Sequence, residues 1–241
     1  MRTLVVGDIH GGLKALQQVL KKVDPVQGDS FVFLGDYVDG WSDAAPTVAF
    51  LMNFSETYNC TFIRGNHDFL LYQYLANDEA KPLWLAHGGR ESKESYDVLS
   101  SEEKEKHLQF FERLLKYHID PQNRLFVHAG FTNLLGPQYE YFEDLVFWDR
   151  TLWEMARALD PNISENDKHY PERLKIFKEI YIGHTPVTRI GASVPLKFAN
   201  LWNVDTGAAF KGPLSIMDVN TKEIWQSDPV FTLYPDETGR N

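Results

Sequence analysis

The sequence predicts an α/β fold in which chemically active side chains gather where buried strands end. Five short apolar runs, rich in β-branched and aromatic residues, have the length of buried strands. They occupy residues 4–6, 31–34, 61–63, 125–127 and 180–182. Each run stops at a cluster of glycine with aspartate, asparagine or histidine, and helix-like segments separate the first runs. This alternation is typical of a mostly parallel sheet, whose strand ends converge on one crevice.

The first elements follow one another in a regular order. Apolar residues recur at helical spacing over residues 13–23, directly after the first strand, and a second helix is predicted over 44–58. The third strand then leads to Asn66 and His67. The chain therefore opens with the order strand, helix, strand, helix, strand.

The middle of the chain predicts a helical insert over about residues 69–120, because no convincing strand pattern occurs there. One helix is expected over 101–118, where Ser100 and Glu103 have the spacing of a capping box. The insert is placed to border or cover a site. Trp84 is a candidate substrate contact, or it simply packs the insert onto the core.

The last third of the chain turns to strands again. Residues 201–204 and 214–219 are β-prone, and residues 222–226 are placed to pair back on them. A second, more antiparallel sheet is expected from these segments, and the residues from 235 onward are expected to fray. Asp205 follows a strand, but an aspartate that holds its own turn by hydrogen bonds is the favoured interpretation.

Composition limits the functions that are open to the protein. A chain of 241 residues with 43% hydrophobic content suits a single domain spanning 1–241. The net charge of −10 argues against broad nucleic-acid binding, which depends on basic patches. No run approaches the roughly 18 apolar residues of a membrane helix. The single cysteine, Cys60, excludes an internal disulfide, so a cytoplasmic location without a membrane partner is expected.

Six residues of the strand-end clusters offer oxygen and imidazole ligands without sulfur, a set that favours manganese, iron or zinc. They are Asp8, His10, Asp36, Asn66, His128 and His184. Six ligands are too many for one metal ion with an open coordination position, but they suffice for two ions if one carboxylate bridges them. Asp36 has the natural position for that bridge. Two ions about 3.5–4 Å apart can clamp both oxygens of a phosphoryl transfer and generate hydroxide at neutral pH.

Neighbouring residues have the chemistry that such a transfer also needs. His67 follows Asn66 and is expected to protonate the departing oxygen, a role worth about 10²–10⁴ in rate. Asp39 is placed to orient the ring of His67 through its other nitrogen. Arg64 and Arg150 are the candidate phosphate clamps, since a guanidinium binds two phosphate oxygens at once.

The clusters resemble the signatures GDxHG, GDxVDRG, GNH(D/E), HAG and GHTP of metallophosphoesterases of the phosphoprotein phosphatase type. The resemblance runs in order from Gly7 to Pro186, and the DTGA segment at residues 205–208 is also similar. Within that family the chain looks most like the small bacterial and bacteriophage serine/threonine protein phosphatases. Their tryptophan-bearing insert and Trp-Asp-Arg segment are similar to residues 84–89 and 148–150.

The resemblance implies a sandwich of two central mixed β-sheets flanked by helices, with two divalent ions. Manganese is expected, with iron or zinc as the alternatives. The first ion would be held by Asp8, His10 and Asp36. The second would be held by Asp36 together with the later ligands Asn66, His128 and His184. The resemblance also implies that Asp39 orients His67, and that Arg64 and Arg150 contact the phosphate.

One position departs from the family pattern, because Gly40 stands where GDxVDRG has its arginine. A hydrogen bond to a charged group is worth roughly 1.5–3 kcal/mol, so its loss would weaken transition-state binding about ten- to a hundredfold. One hypothesis is that Lys93 or Arg90 of the insert substitutes for the missing arginine. Another is an altered choice of substrate.

These observations favour a two-metal phosphomonoesterase in which a metal-bridging hydroxide attacks phosphoserine or phosphothreonine in proteins. A dinucleoside polyphosphate hydrolase is the alternative within the enzymes. The alternative that is not an enzyme is a metal-bearing but inactive binding module, which the glycine at position 40 suggests. The expected partner is a phosphorylated protein or a small phosphoester.

Overall fold

The computed structural model describes residues 1–240 of the chain. Two five-stranded sheets form its centre and helices flank them, which confirms the expected fold class. Both sheets are mixed, since each contains parallel and antiparallel strand pairs. Within the described part of the chain, no helix is both long and apolar enough to cross a membrane.

The strands of residues 1–240 are short and follow one another in chain order. They are β1 (Thr3–Val6), β2 (Ser30–Phe33), β3 (Asn59–Phe62), β4 (Tyr117–Ile119), β5 (Arg124–Val127), β6 (Glu179–Ile182), β7 (Leu196–Phe198), β8 (Leu201–Asn203), β9 (Pro213–Asp218) and β10 (Ile224–Pro229).

Helices fill the connections, most of them before β4. They are α1 (Leu13–Val23), α2 (Ala44–Phe54), α3 (Asn66–Asn77), α4 (Pro82–Trp84), α5 (Arg90–Asp97), α6 (Ser101–Glu112), α7 (Thr151–Ala158) and α8 (Val230–Leu233). A kinked turn, Leu85–Gly89, joins α4 to α5, with non-helical backbone angles at His87 and Gly88. Short 3₁₀ turns occur at Pro137–Tyr139, Glu143–Phe147, Glu172–Lys175 and Val187–Ile190.

The first sheet has the order β10-β9-β1-β2-β3, and the second has the order β4-β5-β6-β8-β7. In the first sheet β1, β2 and β3 run parallel, so the chain leaves all three at the same edge. In the second sheet β5, β6 and β8 are parallel in the same way. The five predicted strands are therefore divided between two sheets, and the clusters that follow them meet from both sides.

Strand alternation explains why the apolar runs are continuous. On β1, Leu4 and Val6 face the helices, whereas Val5 lies in a separate cluster between the sheets. Phe126 of β5 and Tyr181 of β6 join Val5 in that cluster, and their rings stack 5.0 Å apart. Strands that are buried on both faces need apolar residues at every position. This inter-sheet core holds the two sets of strand ends against each other.

The predicted helix over 101–118 is too long, and the insert ends earlier than residue 120. The helix begins as expected, because Ser100 and Glu103 form a capping box. It ends at Glu112, after which Leu115 forms a bridge with Ile63 and residues 117–119 become strand β4. An edge pairing with β5 that the helical spacing did not reveal takes these residues out of the helix.

The last third of the chain does not build its own sheet. Strand β9 pairs antiparallel with β1, with Leu4 opposite Asp218, so β9 and β10 extend the first sheet. The second sheet instead takes β7 and β8. The expectation of a separate C-terminal sheet was therefore wrong for β9 and β10, because the sequence pattern of a strand does not specify its partner.

The residues after α8 are held against the rest of the molecule, contrary to the expected fraying from residue 235. The ring of Tyr234 stacks on Trp41 at 5.3 Å. The Glu237 carboxylate accepts hydrogen bonds from the backbone nitrogen and hydroxyl of Ser42 at 2.9 and 2.6 Å. This segment is thereby fastened to the loop that follows β2.

Candidate metal centre

The first group of candidate ligands comes from the neighbouring parallel strands β1 and β2. Single ligand atoms of Asp8, His10 and Asp36 lie within 4.8 Å of one another, and all three residues are buried. The Nδ1 atom of His10 donates to the carbonyl oxygen of Asp39 at 2.7 Å. Its Nε2 atom therefore faces the carboxylates of Asp8 and Asp36, at 3.9 and 3.6 Å.

A second group joins both sheets and shares Asp36 with the first. Ligand atoms of Asp36, His128 and His184 again lie within 4.8 Å of one another. His128 Nδ1 donates to the Leu34 carbonyl at 2.8 Å, which turns Nε2 toward Asp36 at 3.4 Å. The Asn66 Oδ1 atom is 3.2 Å from His128 Nε2 and 2.9 Å from His184 Nδ1. The structure thus brings all six predicted ligands together, with Asp36 between the two groups.

The backbone at this centre adopts conformations that non-glycine residues rarely take. His10, Asp36, Asp39 and His184 have φ angles of 55°, 52°, 68° and 67°, in the left-handed region. Such conformations cost free energy and persist where the surroundings fix them, which is common at functional sites. They turn the chain sharply after the strands, and the ligand atoms of each group lie within 4.8 Å of one another.

Two glycines of the clusters have no room for a side chain beside the carboxylates. A Cβ atom at Gly65 would lie 2.1 Å from Asp36 Oδ1, and one at Gly183 would lie 2.0 Å from Asp8 Oδ1. Neither distance is compatible with a real contact. These glycines are therefore required by the close approach of a carboxylate.

The hydrogen-bonding of the centre fits divalent cations. Asp8 Oδ1 and His184 Nε2 are buried and have no hydrogen-bond partner within residues 1–240. Buried polar atoms nearly always have a partner, so these two atoms are suited to bind a cation. The donors are carboxylate, amide oxygen and imidazole, the set that manganese, iron and zinc accept. The residues present therefore fit two divalent ions that share Asp36.

The electrostatics of the two central carboxylates lead to the same interpretation. Burial and the nearby carboxylate of Asp205 raise the pKa of Asp8 well above its usual range. Burial would also raise the pKa of Asp36, but the imidazoles of His128 and His67 hold that pKa well below its usual range. Cations between these groups would offset the repulsion and keep both carboxylates charged.

His67 lies beside the ligands, and a hydrogen-bonded chain fixes its ring. Its Nδ1 atom donates to Asp39 Oδ2 at 2.7 Å, which leaves Nε2 for a second partner. The Trp84 indole nitrogen donates to the same Asp39 oxygen, also at 2.7 Å. Trp84 is 3% exposed, and its ring packs against Tyr74 with the ring centres 5.1 Å apart. Trp84 thus packs the insert onto the core and also lines the cleft over the centre.

Asp68 is a structural support of the centre that sequence reasoning missed. Its carboxylate accepts hydrogen bonds from the backbone nitrogens of Asp36, Tyr37 and Gly65, each at 2.8 Å. Burial raises its pKa to about 7. The signal was available, since Asp68 stands three residues after the Gly65 that caps α3. Asp68 fixes the loop that carries the shared ligand Asp36.

Asp205 holds its own turn by hydrogen bonds, which is the interpretation that the sequence favoured. Its Oδ1 atom accepts a hydrogen bond from the backbone nitrogen of Gly207 at 2.9 Å. Its own backbone nitrogen donates to Asn203 Oδ1 at 3.0 Å. Asp205 nevertheless lines the cleft, so it also adds negative charge near the ligands. Burial raises its pKa to about 6.

The predicted phosphate clamps have different positions. Arg64 turns away from the ligands, because its guanidinium donates to the Phe111 carbonyl at 2.6 Å and lies over the Tyr72 ring. It does not line the cleft in this conformation, so its contact with phosphate stays a prediction that the structure does not support. The backbone of Arg64 precedes α3, but its side chain extends to the carbonyl groups at the end of α6. Arg150 does line the cleft and is exposed there.

The cleft over the ligands has a volume of about 270 Å³ and an unusual lining for an acidic protein. Four cationic side chains line it, and three aromatic residues accompany them. They are Lys81, Arg150, Arg189 and Arg240, with Trp84, Trp148 and Phe210. Sequence reasoning singled out Arg150, Trp84 and the Trp148 segment, whereas Lys81, Arg189, Arg240 and Phe210 belong to no motif.

The sequence model of the calcineurin-like phosphoesterases matches residues 1–207. This chain belongs to that family. Calcineurin-like phosphoesterases hydrolyse phosphoric esters with a binuclear divalent metal centre, and the two ligand groups described above provide residues for such a centre. The expected family is therefore confirmed, while the finer assignment to bacterial or bacteriophage protein phosphatases stays a prediction.

Individual calcineurin-like relatives differ in the substrates that their names state. The chain is 25% identical over 238 residues to bis(5'-nucleosyl)-tetraphosphatase (asymmetrical) of Oceanobacillus iheyensis, covering 92% of this chain and 90% of the relative. A solved structure provisionally named a diadenosine tetraphosphatase has a TM-score of 0.61 and 21% identity, covering 93% and 92% of the two chains. A protein serine/threonine phosphatase of Saccharomyces cerevisiae has a TM-score of 0.58 and 16% identity, covering 95% and 80%. At these identities, the two structural likenesses show the fold alone.

Proposed function

We propose that this protein is a two-metal phosphohydrolase whose preferred substrate is a dinucleoside polyphosphate. The observation that carries the proposal is the charge in the cleft: Lys81, Arg150, Arg189 and Arg240 line it although the chain has a net charge of −10. One phosphomonoester over two divalent ions needs few additional cations. A chain of several phosphates would occupy all of them.

The buried residues account for the chemical step. Asp8, His10, Asp36, Asn66, His128 and His184 would hold two divalent cations, which supply a nucleophile from water and offset charge on the phosphoryl group. His67 keeps Nε2 free for the leaving oxygen, because Nδ1 is bonded to Asp39. Asp39 stabilises the protonated ring and holds its orientation. Trp84 fixes Asp39 in turn.

The aromatic residues of the cleft support a nucleotide. Trp148 is 44% exposed and lines the cleft together with Phe210 and the buried Trp84. Aromatic side chains stack on bases with about 1–3 kcal/mol for each base. The names of relatives such as the tetraphosphatase of Oceanobacillus iheyensis support the same substrate class.

The second candidate is the serine/threonine protein phosphatase that the sequence favoured, and one surface supports it. Several large apolar side chains are exposed along the segment that ends at Trp148. They are Leu134, Leu135, Tyr139, Tyr141 and Phe142. Exposed apolar patches often mark protein contacts. A phosphorylated protein could rest there while its phosphate enters the cleft.

One panel of substrates tests both candidates. Purified protein reconstituted with manganese is assayed on diadenosine tetraphosphate, on phosphoserine and phosphothreonine peptides, and on an aryl phosphate. We expect asymmetric cleavage of the tetraphosphate at the highest kcat/KM. Faster release of phosphate from the peptides, with the tetraphosphate left intact, would reverse the order of the two candidates. Binding of these compounds without any hydrolysis would favour the remaining alternative, a metal-bearing but inactive binding module.

A further inference from the structure

Arg240 is the cationic residue closest to the place of the missing motif arginine. A Cβ atom at Gly40 would lie 3.5 Å from Arg240 Cγ, and one at Gly88 would lie 3.0 Å from the same atom. The aliphatic part of Arg240 thus fills the space that a side chain at position 40 would enter. The arginine comes from a segment far away in sequence.

Arg240 faces the same cleft as several of the candidate ligands. Arg240 lines the cleft together with His10, Asp36 and His67. Its Nε atom is buried and has no hydrogen-bond partner within residues 1–240.

Several contacts fix Arg240 at this position. Its backbone nitrogen donates to the Ala209 carbonyl at 2.9 Å, and its guanidinium carbon lies 5.5 Å from the centre of the Phe210 ring. The preceding Glu237 bonds to Ser42, two residues after Gly40. The segment that carries the arginine is therefore fastened to the same loop that lacks one.

The two cations that the sequence offered as substitutes do not occupy this position. Lys93 forms an ion pair with Asp97 at 2.6 Å and does not line the cleft. Arg90 is exposed and lines a neighbouring recess. An arginine at position 40 itself would be strained, because Gly40 has a φ of +141° and its Cβ would lie 3.1 Å from the His10 carbonyl oxygen.

We propose that Arg240 binds the phosphoryl group at the metal centre and replaces the arginine that Gly40 lacks. A guanidinium that lines the cleft of the candidate ligands and has an unpaired Nε donor matches the oxygens of a phosphate. The inference rests on the proposed function, since it assigns the residue that holds the reacting phosphate. The other cleft cations would then contact the rest of the substrate.

The test compares Arg240→Met with Arg90→Met, a matched change of an arginine in the neighbouring recess. Manganese-loaded proteins are titrated with inorganic phosphate by calorimetry, and kcat and KM are measured on diadenosine tetraphosphate. We expect Arg240→Met to weaken phosphate binding and to lower kcat/KM, each about ten- to a hundredfold. Arg90→Met should stay within twofold of the unchanged protein. Equal phosphate affinity and equal kcat/KM in Arg240→Met and the unchanged protein would overturn the inference.

A second variant separates binding from folding. Arg240→Lys keeps the stem and the charge but loses the forked geometry, so it should restore part of the phosphate affinity at an unchanged melting temperature. Lysine and methionine variants with the same phosphate affinity would contradict a charge-based role. If the unchanged protein hydrolyses the tetraphosphate and Arg240→Met has the same activity and phosphate affinity, only this inference is refuted. Phosphate binding that depends on Arg240, in a protein that hydrolyses none of the panel, refutes only the proposed function.

Discussion

The floor and the rim of the cleft are built on opposite principles. The floor consists of Asp8, His10, Asp36, Asn66, His128, His184, His67 and Asp39. The rim consists of Lys81, Arg150, Arg189 and Arg240. Floor residues are buried or nearly so and stand one to six residues beyond strand ends. Rim residues lie on the insert and on later loops, and three of them are exposed. The residues proposed for chemistry thus stand shortly after strands of the two sheets, whereas those proposed for recognition stand on the connecting segments, as is common in enzymes.

Removal of the metal ions should have the largest effect on activity, and it changes only the floor of the cleft. Treatment with a chelator should abolish hydrolysis, because the buried carboxylates lose the cations that orient substrate and supply the nucleophile. A ligand at about 100 times its Kd stabilises the native state by about 2.7 kcal/mol. The melting temperature should therefore fall by several degrees on chelation and recover with manganese. Unchanged activity and melting temperature would refute a metal centre.

The next effect tests the proton donor on the floor. His67→Asn should lower kcat about 10²- to 10⁴-fold, because the leaving oxygen then departs without a general acid. Manganese affinity, measured by calorimetry, should change little, since His67 belongs to neither ligand group. The matched control is His169→Asn, whose ring is exposed on the surface. A kcat that is preserved in His67→Asn would assign the acid to another residue.

The floor was largely predictable from sequence because its residues obey local rules. Asp8, Asp36 and His128 follow apolar strand runs by one to three residues, and the turns that carry them need glycine. The sequence did not reveal how these strands are divided between the two sheets. Pairing such as Leu4 with Asp218 depends on packing between distant segments, which the pattern of either strand does not encode.

The rim was poorly predictable because a charged side chain near a motif has many possible directions. Arg64 directly precedes the Gly65 cluster, yet it bonds to the Phe111 carbonyl and leaves the cleft. Arg240 lies in a segment that was expected from sequence to fray, yet its position is fixed by contacts with Ala209 and Phe210. Tertiary packing decides both cases, and neither carries a sequence signal.

A glycine substitution tests how closely the floor is packed. Gly183→Ala should weaken manganese binding about 10- to 100-fold, because its Cβ would displace the Asp8 carboxylate that lies 2.0 Å away. Gly191→Ala is the matched control on the same loop region, since nothing lies within 4 Å of its Cβ. Its positive φ should reduce stability by roughly 1 kcal/mol without affecting the metal. Equal manganese affinity in both variants would show that the floor tolerates displacement.

Trp84 joins the floor to the insert, so its replacement should give an intermediate effect. Trp84→Phe keeps an aromatic ring but loses the hydrogen bond to Asp39 Oδ2. A bond to a charged acceptor is worth roughly 1.5–3 kcal/mol, and we expect kcat to fall at least about tenfold. Trp225→Phe, on β10, is the control and should leave kcat unchanged. If both variants keep full kcat, Asp39 holds His67 without help from the insert.

The smallest effect belongs to an exposed rim residue and depends on the substrate. Arg189 lines the cleft but is exposed, and exposed ion pairs contribute about 0.2–1 kcal/mol. Arg189→Met should therefore raise the KM for diadenosine tetraphosphate only about two- to fivefold and leave that for an aryl phosphate unchanged, since the shorter substrate reaches only the floor. The ratio of the two KM changes is the measurement, taken at low salt to limit screening. An equal change for both substrates would place Arg189, like Arg240, among the groups that hold the reacting phosphate and not the rest of the substrate.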